Sequence, residues 1–457
     1  MGSDRRQPGA RETALDILVL LETRHAYSNL LLNQVLEQSR LDHRDKGLVT
    51  ELVYGTVQRL NTIDWILDQL LKKGIGSMEP WIRQLLRLGI YQLLYLDRIP
   101  ERAAIYETVQ IGKKRGHKGI AGLVNGVLRS FLRKKQQLIP RRNPRTLTEK
   151  ALTYSCPEWM VKRMEQVYGE EETKAALLSC LKPPKVSIRV NRLKIGRDEF
   201  VKQWHETEKG EAEASRVAPE GVLIHQGGNP AHTAWFQEGY CSIQDESSML
   251  VAHALAPQPG MKVLDVCAAP GGKTSHMAEI MQNQGQIFAC DIHEHKLSLI
   301  RSNVTRLGIH IVSARLQDGT RLHEEFAPET FDAILLDAPC SGLGVIRRKP
   351  DLKWSKEAKN IASLVQLQKS LLDSVAPLLR PGGALVYSTC TWEPRENVEQ
   401  VTAFLKRHPD FALDSRFVKQ LPPVVTGTAQ TGEAWVQILP HHLMSDGFFI
   451  SRLVKKG

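Results

Sequence analysis

Apolar residues recur three and four positions apart from residue 10 to about residue 135. Ala14, Ile17, Leu18 and Leu21 make one such stripe, and Ile82, Leu85, Leu86 and Gly89 make another. This period puts the apolar side chains on one face of a helix. Short breaks, GIGSMEP (74–80) and DRIP (97–100), separate the segments. The pattern predicts an all-helical bundle. Its last helix carries Val124, Val127, Leu128 and Phe131 on one side, with Arg129 and Arg133 on another ridge. Like charges four apart repel by a few tenths of a kcal/mol, a cost that a bound phosphate would remove. RKKQQLIPRRNPR (133–145), dense in charge and holding two prolines, is expected to be an exposed basic linker.

The pattern loosens over residues 150–240. Helices are expected near 157–168 and 170–181, and KVSIRVN (185–191) alternates like a strand. ETEKGEAEASR (206–216) is polar and is expected to be a surface loop. From about residue 245, strands alternate with helices. The strands are KVLDVC (262–267), QIFACD (286–291), HIVSARL (310–316), FDAILLD (331–337) and GALVYSTC (383–390). Helices fit at about 273–283, 294–307 and 357–379, and WVQILP (435–440) and GFFISRLV (447–454) suit an antiparallel pair. Such alternation implies a parallel sheet covered on both faces, with ligands at the carboxyl ends of its strands. The chain thus divides into an all-α bundle (1–145), a small α+β connector (146–240) and an α/β domain (241–457).

Composition alters this picture at one point. Net charge is +11 over 457 residues, yet residues 1–97 and 151–457 are each neutral. Residues 98–150 hold 14 Lys/Arg against 3 Asp/Glu, so the whole excess lies there. A positive field this localised suits a polyanion, nucleic acid above all, with Lys113, Lys114, Arg115, Arg129 and Arg133 as contacts. A solvated basic face is the plainer alternative. The start of the chain lacks the apolar core of a secretory signal, and no apolar run approaches the roughly 18 residues of a membrane span. A cytoplasmic protein that does not engage a membrane is expected. Seven cysteines with no CxxC pair argue against a disulfide framework or a structural zinc site, and no metal is expected.

Three motifs carry chemistry. KVLDVCAAPGGKT (262–274) is a strand, a small-residue turn and a helix start, which lets a ligand approach the backbone closely. A phosphate-binding GxxxxGK[ST] loop fails because Cys267 stands where its first glycine should be, and GxGxxG is absent. A one-nucleoside site remains, built from Cys267, Ala268, Ala269, Pro270, Gly271, Gly272 and Lys273. Asp291, Asp318 and Asp337 stand at or just after successive strand ends. Each alone is an ordinary cap residue. Together they suit S-adenosylmethionine, which is cationic and has no phosphate. LLDAPCSGLG (335–344) and YSTCTWEPREN (387–397) each put a cysteine at a strand's carboxyl end, and neighbouring strands would bring Cys340 and Cys390 together.

These motifs, with QDESSMLVAHAL (244–255) and the longer LLDAPCSGLGVIRRKPD (335–351), occur in an order that resembles the RsmB (Sun-type) family of RNA cytosine-5 methyltransferases. LVYGTVQRLNTIDWIL (52–67) and DRIPERAAIYETVQIGKK (97–114) resemble NusB-like RNA-binding domains. The resemblance implies a Rossmann-like class I methyltransferase domain using S-adenosylmethionine, preceded by a NusB-like bundle. The implied substrate is one cytidine of 16S ribosomal RNA. It further implies that Cys390 attacks C6 of the base, that Cys340 assists product release, and that Asp337 holds the base near N3 or N4. Arg347, Arg348 and Lys349 would contact RNA. A monomer is expected. A tRNA substrate, or a non-catalytic RNA-binding assembly factor, are the competing readings. A basic bundle alone would serve the second, which has no need of two cysteines amid carboxylates.

Overall fold

The computed structural model describes residues 8–24, 28–208, 210–225, 228–356 and 358–457. The described residues up to Leu181, with Ile346–Ser355, form one compact unit; those of Lys182–Val345 and Lys356–Gly457 form the other.

The first unit is helical. Ala10–Arg24, Ser28–Gln38, His43–Gln58, Leu60–Asp68, Pro80–Tyr95, Glu101–Arg115 and Lys118–Leu138 make the bundle, and Leu147–Thr153, Glu158–Tyr168 and Glu170–Cys180 follow it. Local chemistry sets the ends. Asp42 accepts the amide of Asp45 at 2.8 Å, and Thr146 with Glu149 forms a reciprocal capping box. The stripes read from the sequence are the core: Ala14, Ile17, Leu18, Ile82, Leu85, Leu86, Val124, Val127, Leu128 and Phe131 are all buried. Gly89 admits close packing, since a Cβ there would lie 2.9 Å from Cδ2 of Leu128. The last bundle helix continues to Leu138, so residues 133–138 of the expected linker are helical and only 139–145 connect. Lys, Arg and Gln are good helix formers, and Pro140 is the first residue that stops the run.

Residues 346–355 enter this unit through a buried lysine. Lys353 Nζ donates to the carbonyl oxygens of Gln58 and Ser155, both at 2.8 Å, and Trp354 Nε1 donates to that of Val57 at 2.7 Å. Burial pushes the Lys353 ammonium down to about 8.

The second unit opens with a small antiparallel sheet. Its strands are β1 (Val186–Val190), β2 (Glu211–Ala214), β3 (Gly221–His225) and β4 (Cys241–Ile243), in the order β2-β3-β1-β4. Phe200 and Trp204 of helix Arg197–Thr207 pack on Ile188, Val190, Val222 and Ile224. β2 runs through the stretch expected to be a loop. Its EAEA sequence alternates, with Ala212 buried and both glutamates exposed, but alanine and glutamate have weak strand preference and only pairing to β3 makes the strand.

The large sheet follows. Its strands are β5 (Lys262–Asp265), β6 (Gln286–Asp291), β7 (Val312–Leu316), β8 (Phe331–Asp337), β9 (Leu379–Thr389), β10 (Phe411–Leu413), β11 (Gln430–Thr431), β12 (Trp435–Ile438) and β13 (Phe448–Lys455). The order is β11-β12-β13-β9-β8-β5-β6-β7, with β10 beside β13. β5 to β9 are parallel to one another, and β13 is antiparallel to both β9 and β12. Both faces are covered. Val263, Ile287, Ala333, Leu335 and Val386 face one core, and Leu264, Phe288, Ile334, Leu336 and Leu385 face the other. Burial on both sides explains why these strands read as nearly unbroken apolar runs. The order in which strands are added to the sheet reverses between β5 and β8, and the crevice at their carboxyl ends is the expected ligand position.

Candidate active site

β8 and β9 pair in register, with Asp337 opposite Ser388. Each ends there, and each next loop carries a cysteine. The two sulfurs, Cys340 Sγ and Cys390 Sγ, lie 3.4 Å apart. A disulfide is about 2.05 Å long, so these are two thiols in contact. The hydrogen bond with Cys390 and burial together push the Cys340 thiol well above its ordinary range. Among the seven cysteines, Cys156, Cys180, Cys241 and Cys290 are buried. The three that are only half-buried, Cys267, Cys340 and Cys390, all sit at strand ends.

A buried polar network fixes both loops. Ser341 Oγ meets Thr391 Oγ1 at 2.9 Å, and the Ser341 amide donates to Glu396 Oε2 at 2.8 Å. Asn397 Nδ2 donates to the Thr391 carbonyl at 3.0 Å and to Gln437 Oε1 at 2.7 Å. Burial raises the Glu396 carboxyl, against the hydrogen bonds from Ser341 and Gln368. The Gly344 amide donates to the Cys390 carbonyl at 2.9 Å. Gly344 must be glycine, because a Cβ would fall 2.0 Å from the carbonyl oxygen of Gly447.

Asp337 joins the cysteines to the turn after β5. Its Oδ2 accepts from Lys273 Nζ at 2.7 Å and its Oδ1 from Ser388 Oγ at 2.8 Å. Burial disfavours charge on Lys273, but Asp337 outweighs it and holds the ammonium above its ordinary value. Cys390 also interacts electrostatically with this ammonium.

The turn itself starts where β5 stops. The Ala268 amide donates to the Cys290 carbonyl at 2.8 Å, which ties the turn to β6. The Ala269–Pro270 peptide is cis. Gly271 has φ +99°, and a Cβ there would meet the Ile300 backbone at 3.3 Å. Helix Gly272–Ile280 begins immediately, so its amides face the turn. Burial, with Asp265 next, holds the Cys267 thiol far above its ordinary range. Asp291 closes β6, is buried, and accepts the amide of His293 at 3.0 Å. Asp318 caps helix Gly319–Glu324, accepting from the Thr320 hydroxyl (2.7 Å) and amide (2.9 Å), which holds its carboxyl down. Among the described residues, Oδ2 of each takes no hydrogen bond and can accept from a ribose hydroxyl.

Asp265 was not singled out in the sequence. It is 1% exposed, its Oδ2 accepts from Thr274 Oγ1 at 2.6 Å, and its Oδ1 is buried with no hydrogen-bond partner. Burial pushes its carboxyl up to about 7, with the Thr274 hydroxyl opposing. An orphaned buried acceptor beside the turn fits a ligand with a cationic group. The available signal was a carboxylate inside the apolar strand VLDV.

The expected RNA contacts divide. Lys113, Arg129 and Arg133 are exposed and make no ion pair among the described residues. Lys114 pairs with Glu12 at 2.9 Å and Arg115 with Asp16 at 2.5 Å, so part of the positive excess is neutralised by the first helix. Lys349 is exposed and Arg348 half-buried. Arg347, expected on the RNA side, is only 6% exposed because residues 346–355 are packed into the helical unit. No helix among the described residues is long and apolar enough to cross a membrane.

A sheet ordered β7-β6-β5-β8-β9-β13-β12, with one reversed strand and a glycine-containing turn after β5, defines a Rossmann-like class I methyltransferase. Residues 252–454 match the model of the 16S rRNA methyltransferase RsmB/F family, residues 8–133 that of the NusB family, and residues 156–230 that of the RsmF/B-like ferredoxin-like domain. The chain is 46% identical to the probable ribosomal RNA small subunit methyltransferase B of Bacillus subtilis strain 168, over 99% of this chain and 100% of that one. It is 38% identical to the probable ribosomal RNA small subunit methyltransferase B of Synechocystis, over 98% and 99%. The crystal structure of PH0851 superposes with a TM-score of 0.80 at 27% identity, covering 98% of this chain and 100% of that one. The chain belongs to the 16S rRNA methyltransferase RsmB/F family.

Proposed function

We propose that this methyltransferase places a methyl group on C5 of one cytidine in 16S ribosomal RNA, with S-adenosylmethionine as donor and Cys390 as covalent nucleophile. The observation that carries the reading is the pair of sulfurs 3.4 Å apart, on adjacent strand ends beside the Lys273–Asp337 pair. When bound, S-adenosylmethionine supplies the methyl group on a positively charged sulfur. Asp265 and Asp291, with the turn from Cys267 to Lys273, hold it, and Asp318 accepts from its ribose edge.

C5 of cytosine is a poor nucleophile. Addition of the Cys390 thiolate at C6 makes C5 enamine-like, which splits one hard step into easier ones. Lys273, the ammonium that interacts with Cys390, favours the thiolate. Asp337 accepts a hydrogen bond from the amino edge of the base and stabilises charge that develops on the ring. After methylation, loss of the C5 proton and expulsion of Cys390 restore the aromatic base. Cys340, whose thiol stays protonated because its range is raised, stands beside the departing sulfur and assists release. The target base must leave its stack to reach the thiols. Lys113, Arg129, Arg133 and Lys349 bind phosphates, and the chain acts as a monomer.

The test is methyl transfer from labelled S-adenosylmethionine to unmodified 16S rRNA, followed by nucleoside analysis. One 5-methylcytidine per RNA is expected. Label on another base or another position of cytosine overturns the proposal.

A further inference from the structure

Three side chains converge beside helix Gly272–Ile280. Glu220 lies in the turn that leads into β3, His253 on helix Glu246–Leu255 and His276 on helix Gly272–Ile280. His253 Nε2 is 3.0 Å from both carboxylate oxygens of Glu220, and His276 Nε2 is 2.8 Å from Oε1. The two rings stand edge-on with centroids 5.3 Å apart. Glu220 and His276 are each 1% exposed.

His276 is imperfectly satisfied. Its Nδ1 has no hydrogen-bond partner, and its Nε2, 2.8 Å from a carboxylate oxygen, is poorly aligned with it. The ring nitrogen therefore points beside the oxygen rather than at it. An off-axis nitrogen beside a carboxylate is one arrangement that ligands of a single ion adopt. At about 2.0–2.1 Å from a shared centre they stand roughly 3.3 Å from one another and aim at that centre. A buried carboxylate between two imidazoles is a place where a bound cation would be favoured.

The donor set selects the ion. Two imidazoles and one carboxylate suit zinc and its first-row neighbours, whereas calcium and magnesium require oxygen ligands. His253 is the more exposed member and borders a cavity of about 240 Å³ lined also by Val217, Pro219, Leu250, Ile280 and Leu421. That opening provides an entry path and room for a water as fourth ligand.

We propose that Glu220, His253 and His276 bind one divalent ion of the zinc class, which ties the connector's turn to two helices of the methyltransferase core. The helix of His276 begins at Gly272 and Lys273, so the ion steadies the element that carries the nucleoside turn.

The test uses the full chain, stripped with a chelator and dialysed against zinc or cobalt. One equivalent of zinc per chain is expected, with a rise in melting temperature. Cobalt should give a visible d–d band without sulfur-to-metal charge transfer. His253→Gln, at the partly exposed position, should weaken zinc binding by about tenfold or more and remove the rise. X-ray absorption of the zinc-loaded wild type, which needs no variant, should show imidazole and no sulfur neighbours. Less than one bound equivalent, sulfur neighbours, or a folded H253Q that binds like wild type would each overturn the proposal.

Discussion

Cys340 and Cys390 touch through their sulfurs at 3.4 Å, although fifty residues separate them in the chain. Parallel pairing of β8 with β9 makes the contact, and the Ser341–Thr391 and Ser341–Glu396 hydrogen bonds keep it. The two thiols should therefore fail differently. Cys390→Ala abolishes turnover. Cys340→Ala lets a protein–RNA adduct accumulate, visible as a slow band on a denaturing gel. An adduct in C390A, or full turnover by it, reverses the assignment.

Asp265 gives a pH signature. Its carboxyl titrates near 7 in the folded protein, because it is buried, and near 3.9 in an unfolded chain. The folded state thus binds this proton more tightly. Its stabilising share is full below about pH 4, declines as pH rises, and is gone above 7. The difference between the two values corresponds to about 4 kcal/mol. Asp265→Asn removes the titration, so wild type should lose stability relative to D265N between pH 4 and 8 in urea unfolding. A difference independent of pH refutes this.

Arg189 of β1 is fully buried, and all five of its donors are used. It donates to Glu279 Oε1 (2.7 Å) and Oε2 (3.1 Å), Ser275 Oγ (2.9 Å), the Gly272 carbonyl (2.7 Å) and Gln244 Oε1. Arg189→Met leaves Glu279 charged and alone, at a cost of about 3–5 kcal/mol. The double replacement R189M/E279M should recover most of that loss. Denaturant midpoints of the two proteins decide the matter. Because Gly272 begins the turn's helix, R189M should also weaken donor binding.

The basic helices should not contribute evenly. Replacing Lys113, Arg129 and Arg133 with Gln should reduce the salt dependence of RNA binding by about 0.7 for each phosphate that is no longer neutralised. Replacing Lys114 and Arg115, which are paired with Glu12 and Asp16, should change the slope less. Equal effects would place the RNA elsewhere. Filter binding over a range of salt concentrations measures both sets.

Much of this was written locally. Apolar spacing of 3.6 in residues 10–138 and runs such as FDAILLD depend only on neighbours a few residues away, so helices, strands and the cysteines at strand ends could be read from the chain alone. The charge excess at 98–150 was equally legible, since it is a count. Other features needed distant partners. β2 exists only because β3 lies beside it, and Lys114 and Arg115 are neutralised by residues about a hundred positions earlier. Arg347 reads as a surface cation but is buried where residues 346–355 enter the helical unit. Glu220, His253 and His276 look like three unrelated polar residues until β3 and two helices bring them within 3.0 Å. Periodicity records which face of an element is apolar; which elements then meet is set by the packing of those faces, and no stretch of sequence carries that by itself.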